Sequence, residues 1–512
     1  MLLFIKEYRM KHTLSLITFT LLLAGCGGSS KKDDDVVITP PSALMQQAEQ
    51  DRINNNSGAI SVAIYHKGEV VFADAVGNKQ PNSNEKADKN TLFQIGSTTK
   101  VLTNIATLQL VEQNRLALDD KLVDHLPNIN FPIEHTNFWQ AIELEWLMTH
   151  KGAFEDDYEG ISEDSDLISF MRDEYTIDNG LHNQPGLFYN YSNPNYSYLG
   201  AVIALESGLD YASYVEQEVF TPLAMTRSTF SNEKVKADGN FALSIDDGNE
   251  KIKKHTSIDE LLSSEVVLPA GGNTWSTPTE MLNLAKLLLQ GNENVLTLAS
   301  SQTLTDKHVL IPNPLPIHYG YGMFLSDGFM YDNKWYPIRH FEHGGNANAY
   351  TSLFYVFPEH DLAISVLSSG ESDNLSGTLI AALKHVNVLP EPEPFELPAV
   401  NTALFDKFAG EYTVYGLDLT ITNVSGKLQV SMPALDAQGV SYSETLMPVS
   451  ANMFVLTLNE QQLAFNFVST NEGQSYDYFV SRQAVATRKS VSTGVELNSH
   501  NALQLSKLLN NN

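Results

Sequence analysis

Phe93-Gln94-Ile95-Gly96-Ser97-Thr98-Thr99-Lys100-Val101-Leu102 is the stretch from which the fold can be read outward. After it, Val101, Leu102, Ile105, Leu108 and Val111 recur with the period of one apolar helix face, as far as Asn114. The spacing predicts a helix over 97–114 with Ser97 and Lys100 on its first turn, where residues three apart share a face. An alcohol becomes a good nucleophile when a base takes its proton, and an amine does so where burial and nearby charge keep it partly neutral. N–H groups at a helix start point outward, and their positive dipole end stabilises a developing oxyanion. A serine N-cap followed by an exposed lysine explains the same tetrapeptide.

At 512 residues the chain can bury a large core and is long enough for more than one domain. Its 32 Lys and Arg against 61 Asp and Glu give a net charge of −29, which opposes binding to nucleic acid or bare anionic membrane. Lys6, Arg9 and Lys11 precede an apolar stretch from Leu14 to Leu23 and then Ala24-Gly25-Cys26, an export pattern whose start is either Met1 or Met10. The apolar run is short for a bilayer span. Leu23-Ala24-Gly25-Cys26 resembles the lipobox of bacterial lipoproteins. That resemblance implies loss of residues 1–25 as a signal peptide and lipidation of Cys26. It also implies anchoring in the bacterial cell envelope, facing the periplasm, with the outer membrane favoured. The single cysteine is then consumed as the anchor, which leaves no disulfide.

Residues 26–42, rich in Ser, Asp and Pro, read as a polar tether. Leu389-Pro390-Glu391-Pro392-Glu393-Pro394 can continue neither a helix nor a central strand, and marks a linker over 389–402. It separates a large unit, 43–388, from a small one, 403–488, with a tail over 489–512. In the large unit Ala59 to Tyr65 and Glu69 to Ala75 form a hairpin around His66-Lys67-Gly68. Helical patterns follow, including Thr279 to Leu289, and strands return at Thr351 to Phe357 and Leu362 to Ser368. This order predicts an α/β (α+β) unit: an antiparallel or mixed sheet flanked by helices, with a helical subdomain beside it. Alternation at Leu417, Leu419, Ile421, at Leu428, Val430, Met432 and at Leu463, Phe465, Phe467 predicts a small antiparallel barrel or sandwich.

Two further segments carry chemistry. In Tyr191-Ser192-Asn193 a phenol near a cationic lysine can pass a proton to a leaving group, and a carboxamide can hold both the lysine and a substrate carbonyl. In His343-Gly344-Gly345-Asn346 two glycines let a ligand approach the backbone, whose N–H can serve as an oxyanion donor. Taken singly, the first also reads as a turn with core tyrosines and the second as a glycine-rich turn with a surface histidine.

Ser-x-x-Lys, Tyr-x-Asn and His-x-Gly occur in that order, together with Phe93-Gln94-Ile95-Gly96, Leu116-Ala117-Leu118-Asp119-Asp120 and Pro269-Ala270-Gly271-Gly272 before Ser276-Thr277. Residues 45–385 thereby resemble the serine β-lactamase-related family, which includes class C β-lactamases, D-alanyl-D-alanine carboxypeptidases, D-amino-peptidases and esterases. The resemblance implies a β-lactamase/transpeptidase-like fold, with Ser97 as acylated nucleophile, Lys100 as its proton acceptor and Tyr191 as acid and base. It also implies that Asn193 orients Lys100 and substrate, and that the oxyanion site is the N–H of Ser97 and that of Asn346. His343 stands where β-lactamases usually carry Lys and would supply a weaker, pH-dependent charge. Gly344 replaces a common Thr whose hydroxyl helps bind a substrate carboxylate. Leu147-Met148-Thr149-His150-Lys151-Gly152-Ala153 departs from a family stretch reading Leu-Leu-Thr-His-Thr-Ser-Gly, and His150 reads as structural.

No His-x-x-x-His or phosphate-binding glycine loop is present, so neither metal nor cofactor is expected. The expected function is a serine hydrolase acting through an acyl-enzyme on small-molecule esters or amides, including D-amino-acid peptides. The alternatives are a true β-lactamase and a penicillin-binding or sensory protein whose acyl-enzyme persists. Oligomeric state is left open.

Overall fold

The strand β1 (Ala59–His66) is buried along almost its whole length, because both of its faces are covered. Ile60, Val62 and Ile64 pack with Leu44, Met45 and Ala48 of α1 (Ala43–Asn54) and with Leu379, Ala382 and Leu383 of a late helix, Ser376–His385. Ala59, Ala63 and Tyr65 point the other way, into the main core with Leu282, Leu284 and Ala285 of the helix Pro278–Gln290. Strict alternation sends these side chains to opposite layers. The computed structural model describes residues 42–80, 83–131, 136–156, 166–175, 181–243, 269–313, 315–347, 350–396, 399–414, 416–459, 461–481 and 484–490. The expected signal segment, Cys26, nearly all of the tether and residues 491–512 of the tail lie outside them.

The main sheet has eight strands: β1, β2 (Glu69–Gly77), β3 (Val309–Leu310), β4 (His318–Tyr319), β5 (Phe324–Ser326), β6 (His340–Ala347), β7 (Tyr350–Phe357) and β8 (Leu362–Ser368). Their order is β2-β1-β8-β7-β6-β5-β4-β3. Every pairing is antiparallel, so the mixed sheet that the sequence allowed does not form. Short returns join β6, β7 and β8, and such returns impose antiparallel neighbours.

The predicted helix over 97–114 is α2 (Thr99–Glu112), preceded by a 3-10 turn at Gly96–Thr98. It is buried on all sides rather than on one apolar face. Its polar residues donate internally: Thr103 to Ala270 O at 2.7 Å, Asn104 to Tyr196 Oη at 2.9 Å and Gln109 to Glu218 O at 2.8 Å. Beside it runs α3 (Pro194–Ser207), which starts on a proline, a residue suited to a first helical position.

The C-terminal unit is a second eight-stranded antiparallel sheet that curls around its own core of Phe408, Phe454, Phe467 and Phe479. Its edges meet where Val430 N donates to Glu444 O and Leu446 N to Leu428 O, both at 2.9 Å. The linker is docked as well as proline-rich: Glu393 N donates to Trp335 O at 2.8 Å and Phe395 stacks on Trp335 at 4.6 Å. Among the described residues no helix is long and apolar enough to cross a membrane.

Candidate active site

From Thr91 to Leu110 every residue is buried except Ser97. The segment thus presents a single partly exposed side chain, the hydroxyl of Ser97. Ser97 occupies the 3-10 turn rather than the first α-turn, because Gly96 enters at φ +49, a left-handed conformation that glycine adopts without a Cβ penalty. The i, i+3 relation survives the change of helix type.

Lys100 is wholly buried. Its Nζ lies 3.1 Å from Ser97 Oγ, 2.8 Å from Asn193 Oδ1 and 2.8 Å from Gly271 O. The last two oxygens accept only, so two N–H bonds are committed to them. The remaining tetrahedral position faces Ser97, and in a neutral amine that position is the lone pair.

Asn193 is itself set by a carboxylate: Asp156 Oδ1 accepts from Asn193 N at 2.8 Å and from its Nδ2 at 3.1 Å. That bond turns the amide nitrogen away and leaves Oδ1 toward the lysine. No motif or spacing marks Asp156 in the sequence. Tyr191 lies beside the lysine, with Lys100 Nζ 5.0 Å from its ring centroid. Its other flank stacks on His150 at 4.2 Å and 29°. His150 is buried, and its Nδ1 lies 3.1 Å from both the N and the O of Ser192. The histidine read as structural therefore forms the wall against which Tyr191 rests.

His343 sits on β6, buried among Phe324, Tyr319 and Tyr191, with ring centroids 5.2, 6.2 and 6.4 Å away. Its Nδ1 lies 2.6 Å from Gly344 O, and since a carbonyl only accepts, that nitrogen carries a proton. Its Nε2 faces the Tyr319 hydroxyl at 3.4 Å. Beyond Glu342, β6 leaves its partner β5 and runs against the serine turn instead. There Thr98 Oγ1 donates to His343 O at 3.1 Å and Ser352 Oγ to Ile95 O at 2.8 Å. A Cβ built on Gly96 would stand 2.7 Å from Asn346 N. The Asn346 carboxamide is turned off to Thr351 Oγ1 at 3.0 Å and Ser372 N at 3.1 Å, so it is the Asn346 backbone that borders Ser97. Among the described residues no group of His, Cys, Asp or Glu is arranged to hold a metal.

Two further buried histidines titrate far from the ordinary range. Desolvation lowers His182 and His340 from 6.5 to about 4, and the 3.8 Å separation of His182 Nδ1 from Glu155 Oε1 is too long for a hydrogen bond. The unfolded chain takes up these protons near pH 6.5, whereas the folded one holds the rings neutral down to about pH 4. Stability is therefore full above pH 6.5 and falls as the pH drops toward 4, by about 2 kcal/mol per ring at pH 5. Denaturant titrations at pH 7.5 and 5 should show this loss, with a smaller loss in His182→Gln and His340→Gln. Equal pH slopes in all three proteins would refute it.

A family model described as Beta-lactamase matches residues 45–387. Protein flp of Staphylococcus aureus is 27% identical over 237 residues, 45% of this chain. The chain covers 44% of that relative's length. Penicillin-binding protein 4* of Bacillus subtilis is 22% identical over 372 residues, 67% of this chain and 77% of its own. The crystal structure of SurE superposes with a TM-score of 0.65 at 19% identity, covering 87% of this chain and 98% of SurE. That extent exceeds the large unit, so the likeness takes in barrel as well as main sheet. At such identity it is a likeness of fold.

Proposed function

The chain belongs to the Beta-lactamase family, and on that premise we propose that it is a serine hydrolase that cleaves small esters or amides through an acyl-enzyme on Ser97. The observation that carries this reading is the buried Lys100 amine, with two N–H bonds committed and its remaining position on Ser97 Oγ. Ser97 Oγ attacks the carbonyl carbon as its proton passes to Lys100 Nζ, and the carbonyl π electrons move to oxygen. The oxyanion sits between the backbone N–H groups of Ser97 and Asn346. Collapse expels the alcohol or amine, which takes its proton from the Tyr191 hydroxyl, and Lys100 restores that proton. Water then repeats the sequence on the acyl-enzyme and releases the acid.

The substrate reading rests on what the third motif lacks. Gly344 has no hydroxyl, and His343 spends one nitrogen on Gly344 O while the other faces Tyr319. Neither offers the fixed cation and hydroxyl with which a substrate carboxylate is gripped, which favours esters and amides over free-carboxylate β-lactams. SurE, alike in fold, has also been solved with D-Leu, which makes D-amino-acid amides the first amides to try.

The test is a panel of p-nitrophenyl esters, D-leucine p-nitroanilide and nitrocefin on the wild-type chain and on Ser97→Ala. Ester or D-leucyl turnover that vanishes in the variant is expected, with nitrocefin the poorest substrate. Turnover surviving in Ser97→Ala sinks the nucleophile assignment, and nitrocefin as the best substrate sinks the substrate reading.

A further inference from the structure

Residues 187–191 lie in no helix or strand, so side-chain packing must fix the path that ends at Tyr191. The start of the path is tied by Gly186 N donating to Lys151 O at 2.8 Å, and its middle by Asn190 N donating to His150 O at 2.9 Å. Tyr189 turns inward, with its ring 5.6 Å from His150 and 5.5 Å from Tyr319. Leu187 and Phe188 turn the other way and pack on the C-terminal barrel, against Tyr478, Val480 and Val485. The Phe188 and Tyr478 rings are 4.9 Å apart at 56°, and only 9% and 4% of these residues stays exposed.

We propose that the C-terminal barrel is a working part of the catalytic centre: through Tyr478 it clamps Phe188 and so holds Tyr191 in place, which makes Phe188 and Tyr478 positioning residues.

Strand alternation supports this. The barrel strand Tyr478–Val480 sends Phe479 into the barrel's own core and turns Tyr478 and Val480 outward. An outward face of a small barrel is ordinarily solvated. Here all three residues are buried. The contact falls three positions before Tyr191 and one before Tyr189, whose ring touches the same His150 on which Tyr191 stacks. Loss of the clamp therefore loosens two of the rings that define the proton-carrying phenol. Misplacing a catalytic group by about 1 Å costs on the order of a hundredfold, so partial loosening should cost about tenfold.

The inference rests on the acyl-enzyme reading, with Tyr191 as proton carrier, and its test separates the two. Full-length wild type, Phe188→Ala, Tyr478→Ala and the double variant are assayed with p-nitrophenyl acetate well below their melting temperatures. Each single variant should lose about tenfold in kcat with KM within about twofold, and the double variant should lose no more than the worse single. Tyr478→Phe, which keeps the ring, should retain wild-type kcat, and Val480→Ala provides a milder cut into the same interface. Unchanged kcat with a lowered melting temperature, or additive losses in the double variant, would overturn the clamp. Labelling with a fluorophosphonate, read by intact mass, completes the separation. Absence of an adduct on wild type sinks the acyl-enzyme reading and the clamp with it, whereas an adduct on wild type together with unchanged kcat in Phe188→Ala sinks the clamp alone.

Discussion

Lys100→Met should lower the rate of Ser97 acylation by at least about a thousandfold while the protein stays folded. Methionine retains most of the buried stem and removes only the amine, so the packing of α2 against α3 is preserved. Two energetic effects then oppose each other. Asn193 Oδ1 and Gly271 O lose their shared donor, and each buried acceptor left unsatisfied costs about 1–3 kcal/mol. Removal of an amine from a wholly buried position relieves a desolvation cost of comparable size. Stability should therefore change far less than activity. His343 offers no substitute for the lost amine, since it engages Gly344 and Tyr319. Acylation is followed as the burst of p-nitrophenol from p-nitrophenyl acetate, and folding by thermal melting. A burst within tenfold of wild type, in a variant that melts normally, would remove Lys100 from the mechanism.

The Ser97 and Lys100 relationship is legible in the sequence because residues three apart share a face in either helix type. The burial of α2 on every side is not. Thr103, Asn104 and Gln109 lie off the apolar stripe read from the sequence, yet their partners come from segments 108 to 186 residues away or lie on α3. The same limit hides the roles of His150 and Asp156. They act through Tyr191 and Asn193, reached across 41 and 37 residues, and no periodicity encodes a ring stack or a carboxylate that turns an amide. The antiparallel order of the main sheet depends on Ile60 lying opposite Ser368, a pairing that local pattern leaves unsigned. The barrel strands are legible for the opposite reason: hairpins such as Leu417–Val424 with Lys427–Ser431 pair near neighbours, so alternation and turn residues suffice. The departure from Lys to His at 343 is visible in the sequence, while its consequence depends on the aromatic residues that surround the ring.

Gly345→Ala should damage stability and catalysis together, whereas Gly344→Ala, one residue away, should do neither. A Cβ at 345 would run into the carbonyl oxygen of Ile95 and stand 2.7 Å from Ser352 Oγ, the hydroxyl that bonds that carbonyl. Backbone on one side and a strand-bound side chain on the other leave no flexible atom to give way, so β6 and the serine turn must part. Overpacking of this kind costs about 1–3 kcal/mol. The two N–H groups proposed as oxyanion donors lie on opposite sides of this joint, Ser97 N on the turn and Asn346 N on β6. A shift that separates them weakens the stabilisation of charge that arises only in the transition state, where one misplaced donor is worth about a hundredfold or more in kcat. At 344 the nearest atom to an added Cβ is Ser352 O at 3.5 Å, an ordinary contact. The pair of variants thus separates position from mere loss of glycine. Thermal melting and acylation rates on both decide the matter. A Gly345→Ala protein with wild-type melting and acylation within about threefold would show that the joint between β6 and the serine turn opens without cost, and the donor geometry built on it would have to be abandoned.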